Sequence, residues 1–101
     1  SSPRWQPAKL PPGFKLTSNS QKSGADGVYE HMVYSDGLAA VSVYIEQQAI
    51  DAKVKTGASQ VGTTNAYTRK QGDLQITVIG EVPPRTVREI AKEIALSISS
   101  G

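Results

Sequence analysis

Cysteine is absent from the 101 residues, which removes disulfides, thiolate nucleophiles and thiolate metal sites together. Its absence does not choose a compartment, since a cysteine-free domain suits cytosol and periplasm alike. Histidine occurs once, at His31. One imidazole would leave a metal site only carboxylates such as Glu30, Asp36 and Glu46, and most of these point apart on an extended strand, so no metal ligand is assigned. No glycine-rich phosphate loop with its lysine occurs. No apolar run approaches the roughly 18 residues that a membrane span requires. The 11 Lys and Arg residues against 9 Asp and Glu leave a net charge of +2 and a pI near 9.0. They are spread along the chain without interleaved aromatics, so nucleic acid, which needs a concentrated basic stripe, is not an expected partner. The opening Ser1-Ser2-Pro3-Arg4-Trp5 carries neither an initiator methionine nor a signal sequence, and it is expected to be a boundary inside a longer polypeptide.

What is present is enough for one domain with one modest core. Residues 1–10 carry two prolines, one tryptophan and no period, as expected of a linker from an absent upstream domain, which leaves 11–101 as the domain. Pro11-Pro12-Gly13 forces a turn, because proline restricts φ and glycine supplies the left-handed corner. Phe14 to Ser18 alternates apolar with polar, the mark of a strand with one buried face. Ser23-Gly24-Ala25-Asp26-Gly27 reads as a loop by composition.

The clearest local signal is a hairpin. Val28 to Ser35 and Leu38 to Glu46 are rich in β-branched and aromatic residues, with Asp36-Gly37 between them. Asp-Gly predicts a two-residue type I′ turn, in which both central residues need φ > 0. Ser35 then opposes Leu38. One face carries Val28, Glu30, Met32 and Tyr34 beside Ala39, Val41, Val43 and Ile45, and should be the core face. The other carries Tyr29, His31 and Val33 beside Ala40, Ser42 and Tyr44, with Tyr29–Tyr44 and His31–Ser42 as cross-strand pairs.

Gln47 to Gln60 reads as a long loop with little regular structure. Val61 to Arg69 is a candidate strand, turned by Gln71-Gly72-Asp73 into Leu74–Ile79, where Leu74, Ile76 and Val78 share a face. Pro83-Pro84 ends the last strand and starts a helix, proline being favoured at the first helical position. Val87, Ile90, Ala91, Ile94 and Ile98 then recur at helical spacing as one apolar stripe. The expected fold is α+β: an antiparallel meander sheet of four to five strands, covered on one face by a C-terminal amphipathic helix.

No constellation supports catalysis. Ser35 and Asp36 sit at a hairpin tip without a strand-to-helix elbow or an oxyanion nest. His31 lies four residues back on an extended strand, more than about 10 Å away by strand rise. Gly80-Glu81-Val82-Pro83-Pro84 joins strand to helix, but its prolines remove amides that an anion would need. No catalytic residue and no cofactor is assigned, and the protein is not expected to be an enzyme. Two surfaces remain. Tyr29, His31 and Tyr44 form a semi-polar aromatic face that is a candidate docking surface, tyrosine being enriched at interface hot spots. Arg85, Arg88 and Lys92, at i, i+3 and i+7, line one exposed helix stripe. Arg85 and Arg88 lie near the helix start, where the macrodipole disfavours cations. That stripe is the alternative site, suited to an acidic partner or a lipid phosphate.

Three segments in order carry a family resemblance: Leu10-Pro11-Pro12-Gly13-Phe14, then the stretch from His31 to Glu46 with its His-x-x-Tyr-Ser-Asp-Gly-Leu and Ser-Val-Tyr-Ile-Glu blocks, then Val78-Ile79-Gly80-Glu81-Val82-Pro83-Pro84 followed by Thr86-Val87. Together they resemble the C-terminal domain of the MucB/RseB family. The resemblance implies a periplasmic regulator of an envelope-stress sigma factor. Such a regulator binds the periplasmic segment of a transmembrane anti-sigma factor of RseA or MucA type and shields it from regulated proteolysis, and lipid or lipopolysaccharide signals relieve the protection. It also implies an N-terminal domain against which this one packs. Three readings follow: a non-enzymatic module that holds an anti-sigma factor peptide, a domain that senses lipid or lipopolysaccharide directly, and an accessory domain that packs on its N-terminal neighbour. The first is preferred, because the apolar residues suffice for a core with no surplus for a large cavity.

Overall fold

A computed structural model describes residues 7, 9–24, 27–48, 51 and 53–100, and of 95–100 only the backbone. Most of the expected linker and the side chain of Ile98 lie outside the described residues. Six strands precede one helix: β1 (Lys15–Gly24), β2 (Gly27–Ser35), β3 (Ala40–Gln47), β4 (Gly57–Val61), β5 (Thr64–Gln71), β6 (Leu74–Gly80) and α1 (Pro84–Ser100). They form one antiparallel sheet in the order β1-β2-β3-β6-β5-β4. The class is α+β as expected, but the sheet has six strands rather than four or five. It is also not one continuous meander. Two runs of consecutive strands, β1-β2-β3 and β4-β5-β6, meet where β3 pairs β6.

The hairpin at Asp36-Gly37 forms, but with a longer turn than expected. Ser35 faces Ala40, not Leu38, so the pairing slides by two residues. A type I′ turn would need φ > 0 at Asp36, and among the described residues only glycines adopt positive φ, Gly37 at 94°. Asp36 instead closes the loop with its side chain. Its Oδ1 accepts from the amides of Leu38 (2.9 Å) and Ala39 (2.8 Å), and its own amide donates to the Ala39 carbonyl. Ser35 Oγ donates to that carbonyl at 2.9 Å and accepts from the Gly37 amide. An aspartate whose carboxylate satisfies the loop amides has no need of the left-handed conformation. A slip of two residues keeps every side chain on its face, because the strand period is two. The two faces therefore stand as expected, while the cross-strand pairs change.

The other departures have the same origin in pairing. Ser23 and Gly24 belong to β1, which runs much further than Ser18, and Gly24 faces Gly27. Ala25 and Asp26 lie outside the described residues. Thr17 is the extra residue of a bulge between Leu16 and Ser18, and its hydroxyl donates to the Val33 carbonyl at 3.1 Å. The expected loop of 47–60 ends in a strand, β4, and the single strand expected over Val61–Arg69 is broken at Gly62 (φ 61°). Gly62-Thr63 and Gly72-Asp73 are both two-residue hairpin loops, Val61 facing Thr64 and Gln71 facing Leu74. Each puts glycine with φ near 60° at its first central position, the requirement of a type II′ turn.

The core lies on the face of Met32 and Val43. Met32, Val41, Val43, Ile76 and Val78 from the sheet and Val87, Ile90, Ala91 and Ile94 from α1 are fully buried in one cluster. Leu10 and Phe14 pack on it from the chain's start. The helix comes closest to β5 and β6. Its approach is pinned by Asn65, a buried polar residue whose Nδ2 donates to the Val82 carbonyl at 2.8 Å just before the helix. Gly80, between β3 and β5 on the sheet, leaves no room for a side chain: a Cβ there would sit 2.7 Å from the Ala40 carbonyl oxygen.

Candidate functional site: a stacked aromatic sheet face

Side chains that alternate away from the core form the second face of the sheet. Strand pairing arranges them in rows. Ser20, His31, Tyr44, Thr77 and Thr68 make one row, and Lys22, Tyr29, Glu46, Gln75 and Lys70 the next. A third runs through Ser18, Val33, Ser42, Ile79 and Ala66. From β2 to β6 these side chains are half-buried rather than free in solvent.

At the centre, His31 faces Tyr44 directly. Their rings stack with centroids 4.4 Å apart and planes within 4°. Tyr29 leans on Tyr44 at 6.2 Å with its ring tilted by 51°. The expected pairs Tyr29–Tyr44 and His31–Ser42 are thus replaced: Tyr29 faces Glu46, Val33 faces Ser42, and the imidazole takes the tyrosine. The two-residue slip is the cause, and it produces the stack. The three residues are nevertheless brought together, with Tyr29 now on the diagonal of Tyr44.

The imidazole is electrostatically unusual. Its Nε2 is shielded from solvent and has no hydrogen-bond partner. Burial, and then the ammonium of Lys22 diagonally across on β1, hold its pKa below the ordinary value. His31 is therefore neutral at pH 7, with one ring nitrogen unsatisfied. On the core side, Tyr34 donates to Met32 Sδ at 3.6 Å and burial pushes its pKa up to about 12, which marks it as a core residue and not an acid–base group.

The alternative stripe is elsewhere. Arg85, Arg88 and Lys92 are all exposed on α1, which packs on the opposite face of the sheet. The first helical turn holds no acidic residue. The fold therefore keeps the two candidate surfaces apart. One member of the aromatic face, Ile79, was not placed there from sequence. Val33 and Ile79 flank Ser42. Ile79 was within reach of the alternation, since Leu74, Ile76 and Val78 at the core imply Ile79 opposite, but its neighbourhood depends on β6 lying beside β3. Among the described residues no group of three or more His, Cys, Asp or Glu could hold a metal ion.

Several known proteins are similar to this chain in sequence, and several solved structures in fold. The chain is 33% identical over 96 residues to the sigma-E factor regulatory protein RseB of Salmonella typhimurium, a match that covers 89% of the chain and 29% of that protein. It is 36% identical over 100 residues to the sigma factor AlgU regulatory protein MucB of Pseudomonas aeruginosa, covering 93% of the chain and 30% of the relative. The chain therefore spans less than a third of the curated relatives it matches. Among solved structures, the MucA/MucB complex of Pseudomonas aeruginosa is similar at TM-score 0.74 and 31% identity, over 90% of this chain and 34% of that one. A crystal structure of MucB in complex with MucA(peri) is similar at TM-score 0.74 and 33% identity, over 90% of this chain and 36% of that one. The family model of the MucB/RseB C-terminal domain matches residues 1–95, and the chain belongs to that family.

Proposed function

We propose that this domain is a non-enzymatic regulatory module. It helps to hold the periplasmic segment of a transmembrane anti-sigma factor of RseA or MucA type, shields that segment from regulated proteolysis, and so restrains an envelope-stress sigma factor from the periplasm. The reading draws on the likeness, at TM-score 0.74, to MucB solved in complex with MucA(peri). The observation that carries it to particular residues is the His31–Tyr44 stack with Tyr29 beside it. A sheet face left to water is ordinarily written with Thr, Lys, Glu and Arg. Here the centre is aromatic, and an imidazole nitrogen lacks a partner. Tyrosine supplies large contact area at low entropic cost, and an acceptor or donor from a partner would satisfy the imidazole.

A competing reading is docking of an N-terminal domain on the same face, with residues 1–10 as the linker. Direct sensing of lipid or lipopolysaccharide is the other reading. One set of titrations separates them. The intact protein is titrated with the periplasmic segment of the anti-sigma factor and, separately, with lipid A, and the segment's cleavage by the regulating protease is followed. Binding and protection that weaken in the Tyr29→Ala/Tyr44→Ala protein support the assignment. Unchanged binding and protection overturn it, and the Arg85, Arg88 and Lys92 stripe becomes the candidate. Saturable lipid A binding lost in the same double variant would favour the lipid reading.

A further inference from the structure

The two edges of the sheet are built differently. β1 carries guards against unwanted pairing: the bulge at Thr17 and the lysines Lys15 and Lys22. β4 is the opposite edge, and among the described residues nothing pairs with its outer side. Gly57-Ala58-Ser59-Gln60-Val61 has no charge and no proline, and it pairs with β5 from Gly57–Thr68 to Val61–Thr64 without a register shift. Four of its five residues are exposed, Val61 by 82%. An edge of this kind presents unpaired amides and carbonyls that an added strand can use.

The charge is one-sided where β4 begins, whereas at its far end the Thr63 hydroxyl donates to Glu81. Where β4 begins, a groove is lined by Gly57, Tyr67, Arg69, Lys70 and, from the helix, Lys92, with no carboxylate in its wall. Lys53 and Lys55 stand in the chain leading into β4. Arg69 and Lys92 are distant in sequence, and only the seating of α1 on β5 brings them to one groove. A second copy of the uncharged β4 would bring no carboxylate of its own to it. We propose that β4 is a strand-addition site for an extended acidic segment of a partner protein. The segment joins the sheet as a seventh strand, main-chain hydrogen bonds to β4 hold it, and its carboxylates meet Arg69 and Lys92. This surface is separate from the aromatic face and does not rest on it: Tyr44 and Gly57 share a row but lie three strands apart.

The test uses the intact protein and a short synthetic peptide that alternates Glu with Val or Thr, with hydrogen exchange read at the amides of 57–61. The peptide should slow exchange at β4. Its analogue N-methylated at alternate amides should lose binding, and its Lys-for-Glu analogue should not bind. Lys92→Glu should weaken the acidic peptide about tenfold at low salt and less at high salt, whereas Tyr44→Ala should leave it unchanged. Equal binding of the N-methylated peptide would overturn the proposal, since charge alone would then suffice. Protection of 57–61 that rises with protein concentration and needs no peptide would replace the partner with a second copy. Binding of anionic phospholipid vesicles that is lost in Lys92→Glu, with no peptide effect at β4, would assign the groove to lipid instead.

Discussion

His31 on β2 and Tyr44 on β3 stack face to face, their ring centroids 4.4 Å apart and their planes 4° from parallel. The contact joins the chain's only histidine to a tyrosine on the neighbouring inner strand, on the face away from the core. Truncating Tyr44 to Ala should weaken binding of the anti-sigma factor segment by about 1–3 kcal/mol, a hot-spot-sized loss. Domain stability should fall much less, because Tyr44 lies outside the core cluster. Titration and a thermal melt of the same variant separate the two. A stability loss as large as the binding loss would make Tyr44 a packing residue only.

The stack also sets a pH dependence. His31 is desolvated and sits near Lys22, with Tyr29, Tyr44, Glu46 and Lys70 among the other titratable groups on its face, and its pKa in the fold is lowered. As pH falls below about 6.5, the unfolded chain takes up the proton before the native state does. Stability is then lost through that window and levels off once the lower native pKa is passed. His31→Gln should flatten this part of the profile. Melts at constant ionic strength from about pH 7.5 to 5 would show it. Asp36, whose carboxyl is held low by the Ala39 and Leu38 amides, adds its own loss only at more acid pH.

Register can be tested by a pair of neighbours. Val43 is fully buried against Met32 and Val78, whereas Ser42 points to the other face. Val43→Asp buries an unpaired carboxylate and should unfold the domain. Ser42→Asp should leave a folded protein with little change in circular dichroism. A stable Val43→Asp protein would mean that the core lies on the other face.

At Gly80 the constraint is room, not backbone conformation, since its φ is not positive. An added methyl group would meet the Ala40 carbonyl oxygen at 2.7 Å and Val41 Cγ2 at 3.2 Å. Gly80→Ala should therefore part β3 from β6 locally and cost about 1–3 kcal/mol in denaturant unfolding. A loss near zero would show that the two strands are looser than their packing implies.

Alternation along Val28–Ser35 and Leu38–Glu46 was sufficient to sort core-facing from outward-facing side chains, and the stripe Val87, Ile90, Ala91, Ile94 to mark the buried side of the helix. These are local properties with periods of two and 3.6, and they survive a slip of two residues. Which residue meets which was not local. The Asp36 carboxylate satisfies the loop amides and lengthens the turn, so Tyr44 comes to His31 in place of Ser42. β4 escaped notice because Gly57–Val61 has no alternation of its own and is a strand only through its pairing with β5. The adjacency of β3 and β6, which puts Ile79 beside Ser42, and the seating of α1 on β5, which brings Lys92 and Arg69 to one groove, join segments far apart in the chain. Side-chain chemistry along a strand declares which way each residue faces. Its neighbours across the sheet are chosen by non-local hydrogen bonding and burial, which only the assembled tertiary structure specifies.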